Sequence, residues 1–112
     1  MKRGDIVHVT NDPCMSTGSE QTFSRPAVIV SNNVCNKHSP VVEVVFTTSS
    51  KKTNLPTHVV LHSTPRESTA LCEAVYSIDK HRITKTLGHV SDVELLQINR
   101  ALGISLGLIE RW

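Results

Sequence analysis

Aromatic side chains are almost missing: the 112 residues hold one Trp, one Tyr and two Phe. Any core must therefore be aliphatic. Cysteine is sparse as well, with Cys14, Cys35 and Cys72 far apart and in no CxxC spacing. An odd, unpatterned set excludes a disulfide framework and a cysteine-rich zinc site. No apolar run is long enough to cross a bilayer. The opening "MKRGDIVHV" lacks the apolar stretch of a secretory signal, so a cytoplasmic setting is expected. Net charge is only +2, which allows a phosphate-bearing partner without the heavy positive excess of a non-specific nucleic-acid coat.

What is present are short β-branched runs. The length suits one domain over 1–112, with no repeat or low-complexity segment. "DIVHVT" (5–10) alternates like a strand, and "PAVIVSN" (26–32) reads as a strand buried on both faces, opened by a proline that needs no ladder donor. "VVEVVFTTS" (41–49), "THVVLH" (57–62) and "ALCEAVYSI" (70–78) read as further strands, and "NNVCNKHSP" as a loop or single helical turn. The tail differs. Ser91 with Glu94 three residues on is a capping-box pattern, and Leu95, Ile98, Leu102, Leu106 and Ile109 form a helical apolar stripe running to residue 110. Gly103 and Gly107 weaken that helix, and close approach to another backbone is the expected reason for them. Short strands followed by one real helix predict a mainly β barrel with helical attachments.

Six histidines raise a metal hypothesis. His58 and His62, four apart on a strand, would stand about 13 Å from each other. His8, His38, His81 and His89 show no ligand spacing, so no metal site is expected.

The loop "GSEQTFSRP" (18–26) carries more polar groups than a strand connector needs. Together with "KRGDIV", "NKHSP", "TTSS…LPTHV", "SIDKHRI" and "ALGISLGL", in this order along the whole chain, it resembles the MazF/PemK family of toxin endoribonucleases. The resemblance implies an SH3-like β barrel of the PemK/CcdB type with a C-terminal helix, acting as a homodimer. It also implies cleavage of single-stranded RNA without metal or other cofactor, and neutralisation by a cognate acidic antitoxin. It puts catalysis on the arginine of the "RP" pair, Arg25, and on the threonine ending the third strand, Thr48.

A guanidinium holds its proton at neutral pH, so Arg25 suits a charge clamp on phosphate rather than a base, and Pro26 keeps it extended. Glu20, His58 and Glu73 are the base candidates. Thr48 can donate a hydroxyl to phosphate, with Ser49 beside it. Ser19, Glu20 and Gln21 offer groups to read base edges, Leu55 and Pro56 an apolar shelf, and His58 a polar edge. Lys51 and Lys52 would attract phosphate. Where relatives carry an "EQIRTID"-like stretch this chain has "EAVYSID", keeping Glu73 but placing Ala74 and Tyr76 where Gln and Arg are usual. Tyr76 can stack on a base. Two other readings stay open. One is an RNA-binding module without catalysis; the other is a CcdB-like gyrase-binding protein, for which the closing Trp112 speaks.

Overall fold

A computed structural model of the chain describes residues 1–10, 24–49 and 54–110. Strands β1 (Asp5–Thr10) and β2 (Ser24–Ile29) precede a short helix α1 (Asn33–His38). Then come β3 (Val41–Thr48), β4 (His58–Leu61) and β5 (Ser68–Asp79), a 3-10 turn (Lys80–Arg82), β6 (Ile83–His89) and helix α2 (Asp92–Ser105). The described strands make one antiparallel sheet in the order β4-β5-β3-β2-β1-β6.

The expected barrel is therefore a sheet with two edges, β4 and β6, that do not pair with each other. The sheet is nonetheless curled. Leu87 of β6 packs on the same cluster as Val59 and Leu61 of β4, with Ile6, Val28, Val45, Ala70 and Cys72 between them and Ile98, Ala101 and Leu102 of α2 against them. A second cluster joins Val7, Val9, Ala27, Ile29, Val42, Val44 and Ile78, with Phe46 and Ile83 beside it. The central strands are thus buried on both faces, which is why β2 reads as an unbroken apolar run. Apart from Cys72 and the flanking Phe46 this is done with aliphatic side chains, as the shortage of aromatics requires.

Three details depart from the sequence expectations. Strand β6, "ITKTLGH", was not foreseen, because its exposed Thr-Lys-Thr centre carries no apolar alternation. Helix α2 ends at Ser105 rather than 110, where Gly107 takes a φ of +79°. Nothing lies close to Gly107, so its role is that left-handed turn and not close packing. At Gly103 a Cβ would stand 2.8 Å from Ile109 Cδ1, so a side chain folded back from the helix end is what crowds it, not another backbone.

The third departure positions the site. β2 begins at Ser24, so Arg25 belongs to the strand, opposite Val9 of β1, and Pro26 lies inside it opposite His8. The β2–β3 ladder starts only at Ala27, paired with Phe46. The Thr47 hydroxyl donates to the Pro26 carbonyl across that gap at 3.4 Å. Since a strand residue's C=O and N face the same neighbour, the missing proline N–H falls where β3 offers no backbone partner.

Candidate functional site

Ala27 opposite Phe46 fixes the register between β2 and β3. Two residues further along each strand, on the same face, come Arg25 and Thr48. A cavity of about 550 Å³ opens here, lined by His8, Arg25, Pro26, Thr47, Thr48, Ser49, Thr64, Pro65, Arg66, Ser68 and Leu87. The two residues singled out in the sequence thus share one cleft with a second guanidinium and several hydroxyls. That is a lining of donors, suited to an anion with many oxygens.

Arg25 is exposed, and its Cζ stands 4.6 Å from the centre of the Phe46 ring. Phe46 in turn meets Tyr76 edge to face, ring centres 5.3 Å apart. Tyr76 of β5 reaches this position because it pairs with Val44 of β3, one step along the same face of that strand from Phe46. Sequence reasoning missed Phe46. Its signal was its place two residues before Thr48, which puts both on one face of a strand.

His58 and Glu73 form a separate unit. His58 Nε2 lies 3.0 Å from Glu73 Oε2, and the Thr57 hydroxyl donates to Glu73 Oε1 at 3.1 Å. The irregularity that creates this lies in β5: Val45 pairs with Val75 but Thr47 with Ala70, so Leu71 to Ala74 bulge past Phe46 alone. Burial pushes the Glu73 carboxyl up, but its own backbone amide, His58 and Thr57 outweigh that and hold it below its usual range. The His58 side chain is 7% exposed.

His58 and Pro56 line a different cavity, of about 670 Å³, between β4 and α2, with His62, Ser63, Glu94, Gln97 and Arg100 among its walls. Leu55 is half-buried, and its carbonyl accepts from the His58 amide. The structure therefore joins Arg25, Thr48 and Ser49 in one cleft and leaves Pro56 and His58 in the other. Ser19, Glu20, Gln21, Lys51, Lys52 and Trp112 lie outside the described residues.

Four of the six histidines have carboxylate partners among the described residues, at scattered places: His62 with Glu67, His81 with Asp79 and His89 with Asp5, besides His58 with Glu73. Among the described residues no three His, Cys, Asp or Glu side chains gather as ligands would. Nor is any described helix long and apolar enough to cross a membrane.

Fold and cleft together define a class: small, mainly β proteins that present an arginine and hydroxyls at one end of a curled sheet. Comparison with known proteins makes this specific. The family described as "PemK-like, MazF-like toxin of type II toxin-antitoxin system" matches residues 2–106, and the chain belongs to it. Endoribonuclease MazF of Staphylococcus saprophyticus is 37% identical over 113 aligned positions, covering 96% of this chain and 92% of that protein. Endoribonuclease EndoA of Bacillus subtilis is 36% identical, covering 98% and 97%. Among solved structures, an endoribonuclease in complex with its cognate antitoxin from a mycobacterial species superposes with a TM-score of 0.81 at 28% identity, over 99% of both chains. The MazE–MazF structure from Deinococcus radiodurans gives a TM-score of 0.81 at 25% identity over 97% of each.

Proposed function

We propose that this protein is a toxin endoribonuclease that cleaves single-stranded RNA at selected sequences without a metal or other cofactor. The ribose 2′-hydroxyl attacks the adjacent phosphorus: the 2′-oxygen–phosphorus bond forms, the phosphorus–5′-oxygen bond breaks, and a 2′,3′-cyclic phosphate and a 5′-hydroxyl result. One proton leaves the 2′-hydroxyl for a base and another reaches the departing 5′-oxygen. DNA, lacking the attacking group, is not a substrate.

The observation that carries this reading is the convergence of Arg25 and Thr48 on one cleft, on the same face of neighbouring strands. Arg25 clamps the phosphorane charge with its planar fork, and Thr48, with Ser49 beside it, donates to a non-bridging oxygen. Glu20, His58 and Glu73 are the candidates for the base. His58 and Glu73 contact each other and not the Arg25 cleft, so either one serves only if the substrate spans from cleft to bulge. Ser19, Gln21, Leu55, Pro56 and Tyr76 complete the RNA-binding set. A cognate acidic antitoxin silences the site by competing for the same donors, and the working unit is a cytoplasmic homodimer.

The test is incubation with a long defined transcript in EDTA, followed by mapping of the ends. Cyclic phosphate and 5′-hydroxyl ends, lost in Arg25→Ala while its circular dichroism is retained, support the proposal. Intact RNA, whether or not it is retarded, removes the enzyme reading, and undiminished cutting by Arg25→Ala removes the role given to that residue.

A further inference from the structure

We propose that Phe46 and Tyr76 form a base-stacking platform keyed to Arg25, and that Tyr76 determines which nucleotide position beside the scissile phosphate must carry a base. This rests on the RNA-cleaving reading above and goes beyond it, because it assigns one subsite to one side chain and gives Phe46 a part.

Phe46 is half-buried, with one side packed on the Val44, Ala27 and Ile29 cluster. Its ring face carries the Arg25 guanidinium and its neighbourhood fixes the Tyr76 ring at an interplanar angle of 65°. A single core-anchored ring thus sets the position of both the cation and the tyrosine. The two contacts place the Tyr76 ring within about 10 Å of the guanidinium, the reach from a phosphate to a base of the same or the next nucleotide.

Tyr76 is the chain's one tyrosine, 50% exposed, and its hydroxyl has no partner among the described residues. A tyrosine kept for packing would bury its ring; here half of it is open beside an exposed arginine. An aromatic face next to a phosphate-binding cation is the arrangement by which single strands are held, with the base on the ring and the backbone on the charge. Stacking tolerates any base, so this position selects for the presence of a base and for purine over pyrimidine by area, rather than by a hydrogen-bond pattern. Arg25 keeps its place over the Phe46 ring when phosphate arrives, because the guanidinium N–H groups point outward in its plane and can make charge-assisted bonds from there.

The experiment is an abasic scan. An oligoribonucleotide spanning a mapped cut, with 2′-deoxyribose at the scissile position so that it binds uncut, is prepared with one abasic site at each position in turn. Dissociation constants are measured for the native protein, Tyr76→Phe and Tyr76→Leu. One position next to, or next but one from, the scissile phosphate should cost the native protein and Tyr76→Phe about 5- to 100-fold, and Tyr76→Leu less than about twofold. Phe46→Leu should weaken that same position. An abasic penalty at every position equal in Tyr76→Leu and the native protein overturns the platform. If the native protein cuts and binds no RNA, the proposed function falls and the platform with it; if it cuts RNA but Tyr76→Leu behaves as native, the platform alone falls.

Discussion

In the proposed reaction Thr48 is where a single hydroxyl separates a catalyst from a mere fold. It ends β3 on the Arg25 side of the cleft, so Thr48→Val keeps shape and β propensity while removing the donor. Single-turnover cleavage should fall about 10²- to 10³-fold with circular dichroism unchanged. A rate within twofold of native would deny Thr48 its role. At Glu73 the prediction concerns charge. Its folded carboxyl lies below the usual range, so its ionised form favours the fold above the unfolded pKa, and that contribution is lost as pH falls through the folded one. Thr57→Val removes one stabilising bond, so the carboxyl resonance of Glu73 should titrate at higher pH; an unmoved resonance would mean the 3.1 Å contact carries no weight. Arg25 and Thr48, which share one cleft, could be singled out because their motifs occur in a familiar order. Phe46 was not, because its meaning depends on the register that sets it against Ala27, and no local pattern encodes a partner nineteen residues away.

Helix α2 shows what an element can hide in a readable signal. Ser91 and Glu94 form the capping box their spacing announced: the Ser91 hydroxyl accepts from the Glu94 amide, and the Glu94 carboxylate from the Ser91 amide. The spacing did not announce that the same carboxylate also accepts from the His62 amide at 2.6 Å and from the Ser63 hydroxyl, tying the end of β4 to the helix start. Glu94 is only 6% exposed, and burial pushes its carboxyl up. The bonds from Ser63, Ser91 and His62 more than reverse this and bring it down to about 2. Because the folded pKa is depressed, this stabilisation is complete above the ordinary carboxylate range and drains away as pH falls from about 4.5 towards about 2. Glu94→Gln should flatten the stability–pH curve in that window, measured by urea unfolding. Glu94→Ala should cost about 2–3 kcal/mol at pH 7. An unchanged slope in the Gln variant would show that the carboxylate does not titrate with folding. Strand β6 was the illegible element, since its edge position lets Thr84, Lys85 and Thr86 face solvent without an apolar rhythm.

For the whole molecule, five of the six described strands could be read from β-branched runs, but closure could not. Whether a sheet curls until its edges pair depends on twist accumulated over every strand, and here the ends share a core without sharing hydrogen bonds. Two thiols report on that core. Cys35 is exposed on α1, while Cys72 is fully buried among Val59, Leu61 and Ile98, and burial raises its thiol to about 12. Alkylation followed by mass spectrometry should label Cys35 within the native state and Cys72 only at the rate of global opening. Equal labelling rates would mean that Cys72 becomes accessible without global opening of the core around it.

Arg25 extends from the second residue of β2, paired with Val9 of β1 and two residues before the β2–β3 ladder begins at Ala27, and not from a connector. To release its Cα the chain would have to part it from Val9, which is buried in the second cluster, so that pairing and the packing around it loosen together. A thermal ramp should therefore find RNA cutting and near-ultraviolet ellipticity disappearing at one temperature, with no inactive yet folded plateau below it.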